Sequence, residues 1–132
     1  MTTSTFTSTV AGDHNITATI NGVLITANVT VTVDPGPPAS ITIAAGDGQT
    51  ATAGTPVGTN PSVLVTDTFG NPVTVQVTFV ASGGGSVTPL GGVTTTNASG
   101  IATVGSWTLD PVPGGNTLDA TATGAGTVTF TA

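Results

Sequence analysis

The sequence predicts an all-β fold, and three observations carry that prediction. Apolar and small polar residues alternate with period two in stretch after stretch; from Val73 onward, Val75, Val77 and Phe79 fall on one face and Thr74, Gln76 and Thr78 on the other. Glycine, proline, asparagine and aspartate, the residues that reverse a chain, separate these stretches. Threonine, valine and alanine dominate, whereas Glu, Lys and Arg are absent and leucine is rare, so nothing favours a helix.

The elements follow in chain order. Thr5 to Val10, Asn15 to Ile20 and Leu24 to Val33 read as strands. The segment "VDPGPPAS", Val33 to Ser40, then interrupts the pattern: Pro35, Pro37 and Pro38 lack amide donors and fix φ, so the stretch is an extended, stiff hinge. Beyond it come Ser40 to Ala44, Gly48 to Ala53, Ser62 to Thr66, Val73 to Ala81, Ser86 to Pro89, Thr94 to Thr96, Ile101 to Leu109, Asn116 to Thr123 and Thr127 to Thr131. Between the sixth and seventh candidates, "DTFGNPV" supplies a glycine for positive φ, a hydrogen-bonding Asn71 and a Pro72 that holds Asn71 extended, which together make a turn.

An internal echo sets the domain organisation. "GDHNITATING", Gly12 to Gly22, matches "GGNTLDATATG", Gly114 to Gly124, with Ile16 against Leu118, Ala18 against Ala120 and Thr19 against Thr121. Each is followed by a Thr/Val strand, from Val29 and from Val128. A supersecondary unit repeated at the end of two modules accounts for this. Residues 1–33 then read as the terminal strands of a partial module, 34–38 as the hinge and 39–132 as a complete module.

"PSVLVTDTFGNPVTVQVTF", "TTTNASGIATVGSWTL" and "GGNTLDATATG" together resemble the bacterial immunoglobulin-like repeats of the invasin and intimin group. The shared signatures are the Asp-x-x-Gly-Asn-Pro-Val turn at Asp67 to Val73, the Val-x-Phe strand at Val77 to Phe79, the turn at Thr95 to Ala102 and the closing strand at Gly115 to Ala120. The resemblance implies an immunoglobulin-like Greek-key β-sandwich, with the N-terminal partial module of similar type. Such repeats build stalks of adhesins and surface proteins, and similar modules occur in phage virion proteins.

Composition excludes several kinds of function. The chain of 132 residues is 37% hydrophobic and 5% charged, enough apolar content and too little charge for disorder. Its net charge of -6 comes from Asp13, Asp34, Asp47, Asp67, Asp110 and Asp119. Without Lys or Arg it has nothing with which to neutralise phosphate, so neither nucleic acid nor an anionic membrane surface is an expected partner. With no cysteine it has no disulfide, thiolate metal site or cysteine nucleophile. "MTTSTFTSTV" lacks the basic and apolar regions of a Sec signal peptide, no run reaches transmembrane length, and a soluble chain is expected.

Candidate chemistry is sparse. The one histidine, His14, follows Asp13, but adjacent strand residues face opposite ways and no nucleophile elbow accompanies them, so no catalytic residue is assigned. Asp34 at the hinge and Asp47 in "AGDGQ" are calcium candidates, weighed against turn-forming aspartates; no Asp-x-Asp-x-Asp loop supports them, and no metal site or cofactor is assigned. Trp107 reads as core or edge packing in preference to a ligand platform, with aliphatic partners in place of a disulfide. Asn15, Asn28 and Asn97 open N-x-S/T sequons, which matter only in a cell that glycosylates.

The leading expectation is a non-catalytic structural module of an extracellular fibre, filament or surface-protein stalk. Its partners would be copies of itself, assembled head to tail by strand complementation, or neighbouring immunoglobulin-like repeats. The alternative is an adhesin or phage-virion module recognising cell-surface glycans or proteins. Enzymatic activity ranks last.

Overall fold

The structure is a computed structural model that describes residues 4 to 132, apart from the side chains of residues 26–28. The chain divides into two compact units, Met1–Pro35 and Gly36–Ala132. Among the described residues there is no helix, and the regular elements are all β-strands paired antiparallel.

The first unit holds a two-stranded ribbon, β1 (Gly12–Ile20) against β2 (Val23–Val33). Asn21 and Gly22 form its turn, both with positive φ (50° and 79°), as a two-residue hairpin connection requires. Its register places Ile20 opposite Val23, Ala18 opposite Ile25, Ile16 opposite Val29 and His14 opposite Val31, so one face is apolar. The other carries Asp13 opposite Thr32, Asn15 opposite Thr30 and Thr19 opposite Leu24. Thr5 to Val10 does not form the expected strand. Instead Phe6 lies against the His14 ring, 5.4 Å between centroids, and His14 Nε2 bonds the Val10 carbonyl at 2.9 Å.

The second unit is a β-sandwich of immunoglobulin-like type. Its strands are β3 (Ser40–Ala45), β4 (Ser62–Thr66), β5 (Gln76–Ala81), β6 (Ser86–Thr88), β7 (Val93–Thr95), β8 (Ile101–Thr103), β9 (Ser106–Thr108), β10 (Thr117–Ala122) and β11 (Gly126–Thr131). One sheet has the order β11-β10-β5-β7 and the other β3-β4-β8, with β6 and β9 forming a separate pair. Alternation buries Leu118, Ala120 and Ala122 of β10, Val77 and Phe79 of β5 and Phe130 of β11 against Ile41, Val63, Val65 and Ala102 of the facing sheet. Trp107, fully buried in this core, has no hydrogen-bond partner for its Nε1. Each fully buried Val or Phe contributes roughly 1.5–3 kcal/mol, so the interleaved faces hold the sheets together.

In this unit three expected strands differ, each for a local reason. Gly48 to Ala53 is a loop: Gly46, Gly48 and Gly54 have positive φ, and the Gln49 side chain bonds the Gly46 and Thr59 carbonyls and the Thr59 amide. The strand expected from Val73 begins only at Gln76, because the buried Thr96 hydroxyl donates to the Val73 carbonyl at 2.6 Å and accepts from the Val75 amide at 2.8 Å. Ile101 to Leu109 divides into β8 and β9, in different sheets. At the break, the Val104 amide bonds Pro61 and the Gly105 amide bonds Thr88; a Cβ on Gly105 would lie 2.9 Å from the Thr88 carbonyl.

Candidate functional site

The carboxylates are the only charged side chains at neutral pH, and the structure shows what several of them hold. Asp67 is the most buried, 3% exposed, at the end of β4. Its Oδ2 accepts from Asn71 Nδ2 at 2.8 Å and the Gly36 amide at 2.9 Å; its Oδ1 accepts from the Phe69 and Asn71 amides at 2.8 and 2.9 Å. Four donors converge on one carboxylate and close the turn. The Asn71 side chain, followed by the Gly36, Asn71 and Phe69 amides, lowers its pKa from 3.8 to about 2, outweighing desolvation. The turn presents Phe69, 66% exposed, at its tip.

Asp110 performs the same task across 26 residues of sequence. Its Oδ2 accepts the Gly84 amide at 2.6 Å and its Oδ1 the Val112 amide at 2.8 Å, which hold its pKa below the ordinary value. A Cβ on Gly83 would come within 2.5 Å of this carboxylate, and Gly83 has φ of 60°. The glycine run therefore lets β5 reach the carboxylate before the chain moves to β6.

Of the calcium candidates, Asp47 lies in the second unit and Asp34 in the first. Asp47 Oδ1 accepts from the Thr131 amide at 2.9 Å and the Thr131 hydroxyl at 3.2 Å, and the amide contact leads in lowering its pKa. This bond ties the loop after β3 to the last strand. Asp34 is exposed. Among the described residues, no three His, Cys, Asp or Glu side chains gather as a metal-binding group.

His14 has a different neighbour from the one its sequence suggests. Its Nε2 lies 3.3 Å from Ser8 Oγ and 2.9 Å from the Val10 carbonyl, while Asp13 accepts the Thr32 hydroxyl on the other face of the ribbon. A carbonyl can only accept, so the proton belongs on Nε2, and that nitrogen cannot take one from Ser8. The geometry makes His14 a structural donor. Asn97 Oδ1 likewise accepts the Ser99 and Ile101 amides at 2.9 and 3.1 Å, within an exposed turn.

One concavity of about 320 Å³ lies at an end of the sandwich, between Thr50–Ala53 and Leu109, Val112, Pro113 and Asn116. Asn116 in its wall is internally engaged: Oδ1 accepts the Asp110 amide and Nδ2 donates to the Gly114 carbonyl. The lining carries no ionisable side chain. The polar side chains there are Thr50, Thr52 and Asn116.

The ribbon is the other notable surface. On its apolar face Ile20 is 62% exposed, Val23 66%, Ile25 36% and Val29 57%. In the echoed hairpin of the second unit the counterparts of Ile20 and Val29, Ala122 and Phe130, are buried, that of Ile25, Val128, is partly buried, and that of Val23 is the exposed Gly126. The echo is legible in the sequence, and the burial of the second hairpin reflects the strands packed on β10 and β11.

No family model matches the sequence, and no curated protein matches it. Solved structures share the fold. Over 92% of its length the chain is similar to a glycosyl hydrolase family 2 member from Bacteroides cellulosilyticus, at 14% identity and a TM-score of 0.57. It is similar over the same share to a beta-glycosidase from Bacteroides vulgatus, at 15% identity and a TM-score of 0.58. A beta-glucuronidase from Parabacteroides merdae aligns over 80% of the chain at 15% identity and a TM-score of 0.50. The chain spans only 18%, 17% and 14% of those proteins, so the likeness is to a β-sandwich portion of each.

Proposed function

We propose that this chain is a non-catalytic structural module of an extracellular fibre, filament or surface-protein stalk, of the bacterial immunoglobulin-like type, joined to copies of itself or to neighbouring repeats by strand complementation. The use of Asp47, Asp67 and Asp110 as clamps on backbone amides carries the reading. These groups fix turns and the last strand, which favours rigidity over catalysis. Lack of Lys and Arg removes every trypsin site, a property suited to durability outside a cell. Electron microscopy with light scattering on the purified protein tests the assembly. Head-to-tail oligomers or filaments are expected at high concentration; uniform monomers there would contradict self-assembly.

A second reading has one observation in its favour. Phe69 stands exposed on a turn made stiff by Asp67, the arrangement of an aromatic contact on a rigid support. On this reading the module recognises a cell-surface glycan or protein. Saturable binding on a glycan or cell-surface array, lost in Phe69→Ala with unchanged thermal stability, would favour it over the scaffold; no binding would remove it.

A further inference from the structure

We infer that the Asp34–Pro35 bond is an acid-triggered self-cleavage site, at which the Asp34 carboxyl cuts the chain and separates residues 1–34 from residues 35–132. Such a cut needs only this bond, its own side chain and water, and it holds whether or not the module is a scaffold.

The sequence contains two Asp-Pro bonds, Asp34–Pro35 and Asp110–Pro111. Proline makes such a bond weak for two reasons. Its nitrogen carries no hydrogen, so it cannot attack the aspartate side chain and divert the residue into a cyclic imide. It is also a tertiary amide, whose nitrogen departs as a secondary amine once protonated. In acid, a carboxyl oxygen of Asp34 attacks the carbonyl carbon of its own peptide bond while hydronium delivers a proton to the Pro35 nitrogen. The C–O bond that forms closes a cyclic anhydride, the C–N bond breaks, and the carboxyl proton returns to solvent. Water then opens the anhydride, restoring the side-chain carboxyl and leaving a C-terminal carboxyl on Asp34 and an amine on Pro35. One water is consumed and the acid is regenerated. Nucleophile and carbonyl belong to one residue, so the attack is intramolecular.

What separates the two bonds is the state of each carboxylate. Asp34 is exposed in the proline-rich segment after β2, and among the described residues its side chain has no hydrogen-bond partner. Of the ionisable groups on β1, Asp13 stands opposite Thr32 and accepts its hydroxyl, while His14 stands opposite Val31 with its Nε2 on the Val10 carbonyl. The chain has no Lys or Arg to hold Asp34 either, so its carboxyl can turn onto the carbonyl carbon. Asp110 has both oxygens committed, Oδ2 to the Gly84 amide and Oδ1 to the Val112 amide. Attack there must break these bonds, which also keep the carboxylate ionised below its ordinary range. The Gly54 amide, 3.0 Å from the Asp110 carbonyl oxygen, polarises that carbonyl, but the nucleophile is withheld while the clamp stands. The unclamped bond lies within one residue of the boundary between the two compact units.

The test holds the purified full chain at about pH 4, above the folded pKa of the Asp67 clamp, with emission of the buried Trp107 confirming a folded second unit. Samples are read by intact mass spectrometry. Fragments of residues 1–34 and 35–132 should accumulate at least about tenfold faster than fragments ending at Asp110. Asp34→Glu must close a larger ring and Pro35→Ala offers an ordinary amide, so each should slow cutting after residue 34 at least about tenfold. In urea at the same pH the Asp110 clamp is gone, and the two Asp-Pro bonds should be cut at rates within about threefold of each other. Cutting after Asp110 as fast as after Asp34 in the folded chain would overturn the inference. So would a rate ratio that persists in urea, cutting after residue 34 that survives either substitution, or no cutting there at all.

Discussion

Asp67 shows how much organisation a single residue carries in a chain with so little charge. Its folded pKa of about 2 lies below the ordinary 3.8, so the unfolded chain binds this proton more readily. The stabilisation it gives is complete above the unfolded value and is lost as pH falls through the folded one. Asp47 and Asp110 are lowered too and act in the same direction. Asp67→Asn keeps one acceptor oxygen and sets an NH2 against donors, so urea unfolding at neutral pH should occur at a lower midpoint. Its stability should also fall less than that of the parent between about pH 4 and pH 2, and parallel pH profiles would contradict the assignment. This turn was readable in sequence because Asp67, Gly70, Asn71 and Pro72 lie close together in the chain. The Asp110 clamp was not, since its partner Gly84 lies 26 residues away and nothing in "GGG" specifies a carboxylate.

At the scale of elements, alternation identified the strands that pair along their whole length and misled where side chains compete for the backbone. Thr96, 4% exposed, is the clearest case, because its hydroxyl takes the hydrogen bonds that would have extended β5 toward Val73. Thr96→Val preserves shape and leaves a buried carbonyl and amide without that partner. A loss of about 1–3 kcal/mol is expected from equilibrium unfolding, with Thr96→Ser recovering most of it. A neutral Thr96→Val would show that these backbone groups find other partners. Gly48 to Ala53 failed for a related reason. Its small alternating residues fit a strand or a loop equally, and Gln49, with contacts to Gly46 and Thr59, decides for the loop.

For the whole molecule, the sequence echo and the structure give complementary information. The echo shows that β1–β2 and β10–β11 are built to one pattern, and Leu118, Ala120 and Phe130 show what that pattern buries when a sandwich is complete. Trp107 was legible as core or edge packing because a lone tryptophan in a β-sandwich usually packs; that its indole N–H would lack a partner was not, since this depends on every surrounding chain segment. What the ribbon lacks is a matter of neighbours, and a two-stranded ribbon alone is marginally stable in water. Amide hydrogen exchange of the intact chain at low concentration compares the two hairpins most directly. Residues 117–122 should exchange orders of magnitude more slowly than residues 12–20, the mark of one hairpin enclosed in a core and one exposed. Equal protection of the two would contradict the reading of residues 39–132 as a complete module and of residues 1–33 as a partial one.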